Sequence, residues 1–244
     1  MEVDQQQELK EKEEEKPISI ADFAEHIRQG RVEDVKRALL QNPAFVAKAD
    51  DSGRLPVHWA ASGGQLELLQ LFVSQHPKPS LILDVGDDMG WTPLMIGCSA
   101  GRLEVARYLL GKHADPQTKN STGQTCLHYA ASKDHLEIAQ LLVENGAEVN
   151  AKDKYQNSPL HRAASKGHPK MVKLLLDHRA LPNLPDCEGN TALHLASMEG
   201  RDDICSLLLK SGADPSRKNK EEKTASEVAL TKTLKSMLAK AENA

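Results

Sequence analysis

The sequence predicts an all-α fold in which about seven short helix-turn-helix units with β-turn tips stack into a solenoid. The first observation is a hydroxyl residue that recurs every 33 residues, at Thr92, Thr125, Ser158, Thr191 and Thr224. The second is a Leu-His pair with the same step, at Leu127-His128, Leu160-His161 and Leu193-His194. One such unit is too small to bury its own apolar face, so the copies must share a continuous core.

Each unit is predicted to contain two helices, and residues 120–152 show the pattern. Thr125 is a good N-terminal cap for a first helix, because its hydroxyl can accept a backbone N–H bond. Residues 136–143 carry apolar side chains at i, i+3 and i+4 spacing, which predicts a second helix. Gly146 and Ala147 then turn the chain toward the next copy.

The predicted domains are a tail at residues 1–16 and a repeat domain at 17–244. The tail is rich in Gln, Glu and Lys, which predicts a disordered acidic segment. The repeat units are predicted at 17–49, 50–86, 87–119, 120–152, 153–185, 186–218 and 219–244, and we number them one to seven. Unit one is a degenerate cap, and unit seven ends in a Lys-rich helix that closes the stack.

Two irregular segments carry expectations of their own. The step from Leu55 to Thr92 is 37 residues, and Pro77 and Pro79 predict that the four extra residues form a loop without helix. Gln156 and Glu222 stand where other units have a turn glycine. We expect these two turns to be reshaped, because a side chain is strained at positive φ.

Composition excludes several classes of function. The formal net charge is −4, and the first sixteen residues alone, with seven acids and three lysines, account for it. A neutral body argues against binding to nucleic acid, and no apolar run approaches the length of a membrane span. The four cysteines lack Cys-x-x-Cys spacing, which favours reduced thiols. We expect a monomer in the cytoplasm and nucleus.

The sequence offers no catalytic, metal or cofactor site. His128, His161 and His194 occupy one repeat slot, so their periodicity indicates a structural role for a neutral imidazole. No His-Glu-x-x-His, Gly-x-x-x-x-Gly-Lys or Gly-x-Ser-x-Gly motif occurs. We therefore predict a binding protein and no enzyme. A hydrolase using a histidine and carboxylate pair is a further alternative.

Several motifs resemble ankyrin repeats. They are the 33-residue period, Thr92-Pro93-Leu94, Ser158-Pro159-Leu160-His161, and the Asp-x-x-Gly turns at 87–90 and 186–189. The resemblance implies that turn tips and the ends of first helices line one concave side. Columns at repeat spacing are acidic near the start, at Asp51 and Asp88, and basic in the middle, at Lys133, Lys154 and Lys166. Trp91, expected on a solvated tip, is the predicted hot spot.

The irregular positions resemble the gankyrin family, the non-ATPase regulatory subunit 10 of the 26S proteasome, over about residues 20–235. The stretches that carry this resemblance are 53–59, 88–94, 127–133, 161–164, 188–196 and 219–224. It implies a chaperone of regulatory-particle assembly that binds the C-terminal helical domain of one proteasomal ATPase subunit.

In that reading Arg54 and Lys133 meet acids of the ATPase, while Asp88 and Glu199 meet its arginines and Trp91 packs between them. Ser52 replaces an acid of the family, and Asp51 beside it can supply that charge. The alternative is an ankyrin-repeat adaptor or inhibitor in signalling or cell-cycle control.

Overall fold

The structure, a computed structural model, describes residues 18–76 and 78–242, so the tail predicted at residues 1–16 lies outside the described part. This part contains fourteen α-helices, one 3-10 helix at Pro43–Ala47 and no strand, which confirms the all-α prediction. In chain order the α-helices are α1 Ile20–Arg28, α2 Val32–Gln41, α3 Pro56–Gly63, α4 Leu66–Gln75, α5 Pro79–Leu83, α6 Pro93–Ser99, α7 Leu103–Gly111, α8 Cys126–Ser132, α9 Leu136–Glu144, α10 Pro159–Lys166, α11 Pro169–Asp177, α12 Ala192–Met198, α13 Asp202–Lys210 and α14 Lys232–Glu242.

The helices form two layers. The first helices of units one to six, α1, α3, α6, α8, α10 and α12, pack on one another in that order. The second helices α4, α7, α9, α11 and α13 pack in a parallel row behind them. Between the layers runs a core of fully buried leucines at repeat spacing, at Leu94, Leu127, Leu160 and Leu193 and at Leu109, Leu142, Leu175 and Leu208. The core is therefore continuous along the stack.

Amide side chains join the loops that follow the second helices. Gln117, Asn150 and Asn183 each donate to a backbone carbonyl of the next unit and accept a backbone N–H from it. For Asn150 the two distances are 3.1 Å from Nδ2 to the carbonyl oxygen of Arg179 and 2.9 Å from the amide nitrogen of Leu181 to Oδ1. These bonds fix the register of neighbouring units away from the core.

The loop predicted between Gln75 and Val85 is wrong, because α5 forms there. Pro79 is the first residue of this helix, where proline costs nothing because its missing N–H would have no helical partner. Ile82 and Leu83 are buried. Burial of these two side chains stabilises the packing of the inserted residues against the stack.

The expectation that two turns would be reshaped is also wrong. Gln156 has φ +61° and Glu222 has φ +57°, close to the +78° of Gly123 in the same slot. The backbone N–H of Gln156 still donates to the carbonyl of Asp153 at 2.9 Å. The turn geometry is kept, and a strain of about 1 kcal/mol is tolerated at each side chain.

Unit seven has a second helix, α14, but no first helix. Residues 224–230 instead cross the end of α12, where the N–H of Leu230 donates to the carbonyl of Ser197 at 3.0 Å. Leu234 and Leu238 of α14 are buried, and the predicted closing helix is present. Across residues 18–76 and 78–242, no helix combines the length and apolarity that crossing a bilayer requires.

Candidate protein-binding face

The turn tips of units two to seven are each built around one Asp or Asn. These residues are Asp50, Asp87, Asn120, Asp153, Asp186 and Asn219. In unit three, Oδ1 of Asp87 accepts the backbone N–H of Met89 at 3.0 Å and of Trp91 at 2.9 Å. The same pair of bonds recurs in the other five tips. This role was not predicted, although Asp and Asn recur at the repeat spacing in these positions.

Backbone hydrogen bonds connect each tip to the next. The N–H groups of Asp88, Ser121 and Lys154 donate to the carbonyls of Ser52, Met89 and Thr122 at 2.9–3.1 Å. Two more bonds at 2.9 Å continue the series to unit seven. We call residues 51–54, 88–91, 121–124, 154–157, 187–190 and 220–223 the tip row. These bonds hold the tip row as one ordered edge.

The motif histidines connect the first helices to the tips. Nδ1 of His128 accepts the backbone N–H of Thr125 at 3.1 Å, and its Nε2 donates to the carbonyl of Asn157 in the next unit at 3.0 Å. His161 and His194 make the same two bonds. His58 makes the first of these bonds, with the N–H of Leu55, but its Nε2 donates to the carbonyl of Val85 within unit two at 3.0 Å. The Leu-His spacing does not include His58 because Val57 replaces the leucine.

Burial lowers the pKa of all four motif histidines against the opposing effect of these hydrogen bonds, and lowers the pKa of His128 to about 4. Each ring is therefore neutral near pH 7. At His128, His161 and His194 the neutral ring bridges two units, and with both nitrogens occupied it has no free position for acid–base chemistry. The predicted structural role of this slot is confirmed.

The junction between units three and four lacks this bridge, because Met95 stands in the histidine slot. It is joined instead from the surface. Nζ of Lys133 donates to the carbonyl oxygen of Ser99 at 2.9 Å and to its hydroxyl at 3.0 Å, at the C-terminal end of α6. The ring of Trp91 stacks on Tyr129 of the next unit, with 4.4 Å between ring centroids. Two predicted binding residues thus also hold this junction.

The stacking makes Trp91 half-buried, where the sequence suggested a solvated tip. Tyr129 is itself fixed, because its hydroxyl donates to Oε1 of Gln124 at 2.7 Å and accepts from Nδ2 of Asn120 at 2.8 Å. The indole is therefore held against a rigid neighbour. A preorganised aromatic loses little conformational entropy when a partner covers it.

Arg54 is also engaged within the chain. Its Nε donates to Oδ2 of Asp87 at 2.9 Å, and its guanidinium lies 5.0 Å from the ring centroid of Trp59. Burial opposes ionisation of Asp87, but hydrogen bonds from Trp91, Arg54 and Met89 outweigh it and lower the pKa of this carboxyl. About one third of the Arg54 side chain is exposed. Its two terminal nitrogens can still face a partner acid.

Three predicted acids are free of such ties. Asp51, Asp88 and Glu199 are exposed, and their carboxylates make no hydrogen bond or ion pair with another residue of the described chain. Asp51 and Asp88 each directly follow an Asp whose carboxylate already accepts backbone N–H groups of the tip. Glu199 is the C-cap residue of α12, a position where the helix dipole disfavours an acid. These carboxylates contribute little to the fold and remain available for binding.

The predicted residues lie on one continuous surface. Asp51, Arg54, Asp88 and Trp91 belong to the tip row. Lys133 is the C-cap residue of α8, and Glu199 is the C-cap residue of α12 at the equivalent position. We call this surface, the tip row with the exposed C-terminal ends of the first helices, the tip face. Within residues 18–76 and 78–242, no group of three or more His, Cys, Asp or Glu side chains could hold a metal ion.

Comparison with known proteins identifies the class. The family model described as ankyrin repeats in three copies matches residues 23–120, 80–153 and 151–219. The chain therefore belongs to the ankyrin-repeat family, whose members are protein-interaction scaffolds and typically have no enzymatic activity.

Among solved structures, the chain is similar to the ankyrin repeat domain of Bcl-3, described as a unique member of the IkappaB protein family. The two are 29% identical, with a TM-score of 0.74, over 89% of this chain and 97% of that chain. The comparison with curated proteins found no match.

Proposed function

We propose that this chain is an assembly chaperone of the 26S proteasome regulatory particle. It binds the C-terminal helical domain of one ATPase subunit through the tip face, as a monomer in the cytoplasm and nucleus, and carries out no catalysis. The observation that carries this proposal is the set of free carboxylates at Asp51, Asp88 and Glu199, which lie among cations on the tip face, where backbone hydrogen bonds order the tip row. Alternating charge on a rigid edge selects a partner by register.

The two signs act differently in binding. Asp88 and Glu199 are unpaired, so a partner arginine gains a new ion pair without breaking an existing one. Arg54 and Lys133 are already bonded within the chain. A partner acid therefore joins an existing hydrogen-bond network. The side chains of Arg54 and Lys133 are already oriented before the partner binds. Lys133 uses two of its three donors on Ser99, which leaves one for the partner.

Trp91 supplies the apolar contact between the charges. Its ring is half-buried against Tyr129, and the remaining surface faces the partner. Replacing such an aromatic anchor with alanine commonly costs about 2 kcal/mol of binding free energy. Holding the C-terminal domain of an ATPase in this way could keep the ATPase ring off the proteolytic core until assembly is complete.

The test is capture of the six isolated ATPase C-terminal domains at two salt concentrations, followed by calorimetry. One domain should bind selectively, and the double variant Asp88→Lys with Glu199→Lys should bind about ten-fold more weakly or worse. The matched control is Glu137→Lys with Asp177→Lys, two exposed acids of the second-helix row, which should bind as the unaltered chain does. Equal capture or no capture of all six domains would refute the proposal.

An adaptor or inhibitor in signalling or cell-cycle control is the second candidate. The similarity to the ankyrin domain of Bcl-3 over nearly the whole length of that domain favours it. It predicts that the tip face binds a different partner, with the same sensitivity to Asp88 and Glu199.

A further inference from the structure

Two large apolar side chains stand out on the tip row. Met89 is 56% exposed and Tyr155 is 60% exposed. They occupy the same slot two units apart, each directly before the residue with positive φ. The other units carry polar residues in this slot, at Ser52, Thr122, Glu188 and Glu221. Single exposed apolar residues are ordinary, but a pair in one register on an ordered edge indicates a contact surface.

The stacked pair of Trp91 and Tyr129 belongs to units three and four. Trp91 is two residues after Met89 in the same tip, and Tyr129 belongs to unit four. Units three to five therefore present apolar surface in succession. The backbone bonds from Ser121 to Met89 and from Lys154 to Thr122 fix the spacing of this surface.

The tips have no free edge for an added strand. In units three to five every backbone N–H of the tip row donates to an acceptor in its own tip or in the neighbouring tip, and the carbonyls of Met89 and Trp91 accept the N–H groups of Ser121 and Asp87. Strand addition requires unpaired main-chain groups. A helix satisfies its own backbone and binds through side chains alone. The occupant that this edge suits is an α-helix.

The spacing sets the length of the helix. Packed helices lie about 8–10 Å apart, so two units separate Met89 from Tyr155 by about 16–20 Å. With a rise of 1.5 Å per residue, this distance corresponds to about 11–13 residues of helix, or three to four turns. The helix should carry apolar residues at two positions of one face separated by that length.

The charges of the tip face indicate the direction in which the partner helix lies. Asp51 and Asp88 are free acids of units two and three, and Lys154 and Lys166 are exposed cations of unit five. A partner helix with basic residues at one end and acidic residues at the other fits this order. The reverse placement would bring like charges together.

We propose that the tip row of units three to five binds a single partner helix laid along the stack. The apolar side chains of this helix, three to four turns apart, contact Met89 and Tyr155, and its basic end lies over Asp51 and Asp88. The inference rests on the proposed function only for the identity of the partner.

The first experiment uses the ATPase domain captured above. Met89→Asp with Tyr155→Asp should weaken binding about ten-fold. The matched control is Leu181→Asp, which alters a leucine 53% exposed outside the tip row and should leave binding unchanged. Photo-crosslinkers placed at 89 and 155 should label one helix of the domain, at positions about 11–13 residues apart. Full affinity of the double variant, or labelling of two different helices, would overturn the inference and leave the proposed function standing.

The second experiment needs no ATPase. The probe is a synthetic helical peptide with two leucines three turns apart, arginines at one end and glutamates at the other. It should bind the unaltered chain and lose binding to the Met89→Asp, Tyr155→Asp variant. A peptide of the same composition with a central proline should bind more weakly. Absence of binding by the helical peptide, or equal binding by the proline peptide, contradicts the helix. Failure of every ATPase domain to bind contradicts only the proposed function.

Discussion

Acidification from pH 7.5 to 5.0 should destabilise this protein through its buried histidines. His58, His128, His161 and His194 each accept a backbone N–H on Nδ1, so a proton there would break that bond in a buried site. Their pKa values are lowered in the folded chain, chiefly by burial. As the pH falls below 6.5, the ordinary pKa of histidine, the unfolded chain therefore binds more protons than the folded chain.

The magnitude follows from His128, whose pKa falls from 6.5 to about 4. The stabilisation linked to this shift is fully present above pH 6.5 and is lost as the pH falls toward the folded value. Between pH 7.5 and 5.0 the loss for this residue is about 2 kcal/mol. The other three histidines act in the same direction. Against a total stability of about 5–15 kcal/mol, the change should be easy to measure.

The assay is urea unfolding followed by circular dichroism at pH 7.5, 6.5, 5.5 and 5.0, beside an NMR titration of the His128 ring. His128→Gln keeps an acceptor and a donor near these positions but does not titrate. It should lose about 2 kcal/mol less than the unaltered chain over this range. His161→Gln should act in the same direction. A ring that titrates near 6.5, or a variant as sensitive to acid as the unaltered chain, would show that the reasoning is wrong.

Three further predictions concern stability and are measured by urea unfolding midpoints. Gln156→Gly should gain up to about 1 kcal/mol by relieving positive φ, whereas Gly123→Ala should lose stability at the same slot; a loss in the first variant would contradict the strain. Asn150→Ala should cost about 1–2 kcal/mol, because two backbone groups of the next unit lose their partner; no change would mean that water replaces the side chain. Lys133→Met should cost about 1 kcal/mol, because Ser99 loses its charged donor; an unchanged midpoint would show that this contact contributes only to the surface.

The helix pairs and the role of the histidines could be predicted because both are written in a fixed period. His128 recurs at a step of 33 residues as His161 and His194 with the same neighbours, so one physical explanation covers these three copies. The α5 segment departs from the period, and its prolines predict a loop without helix. Pro79 instead begins the helix. Distinguishing the two roles required knowing that Ile82 and Leu83 are buried.

For the candidate binding residues, the sequence could predict their positions in the repeats but not their neighbours within the chain. Repeat spacing placed Arg54, Lys133 and Trp91 on one surface, and the structure locates them there. It also pairs them with Asp87, Ser99 and Tyr129, which come from neighbouring units. Such contacts depend on side-chain length and orientation across a junction. A column of equivalent residues does not contain that information.

The methionine in the histidine slot of unit three has a mechanical consequence. Among the junctions from unit three to unit seven, the one between units three and four lacks a buried imidazole bridge, so we expect it to separate first under tension. Outside the core it is held by Lys133, the stacked rings, Gln117 and the backbone bond from Ser121 to Met89. A bound protein that covers Trp91 and Lys133 would add contacts across this junction and stabilise it. Binding of a partner to the tip face would then make the stack of repeat units stiffer.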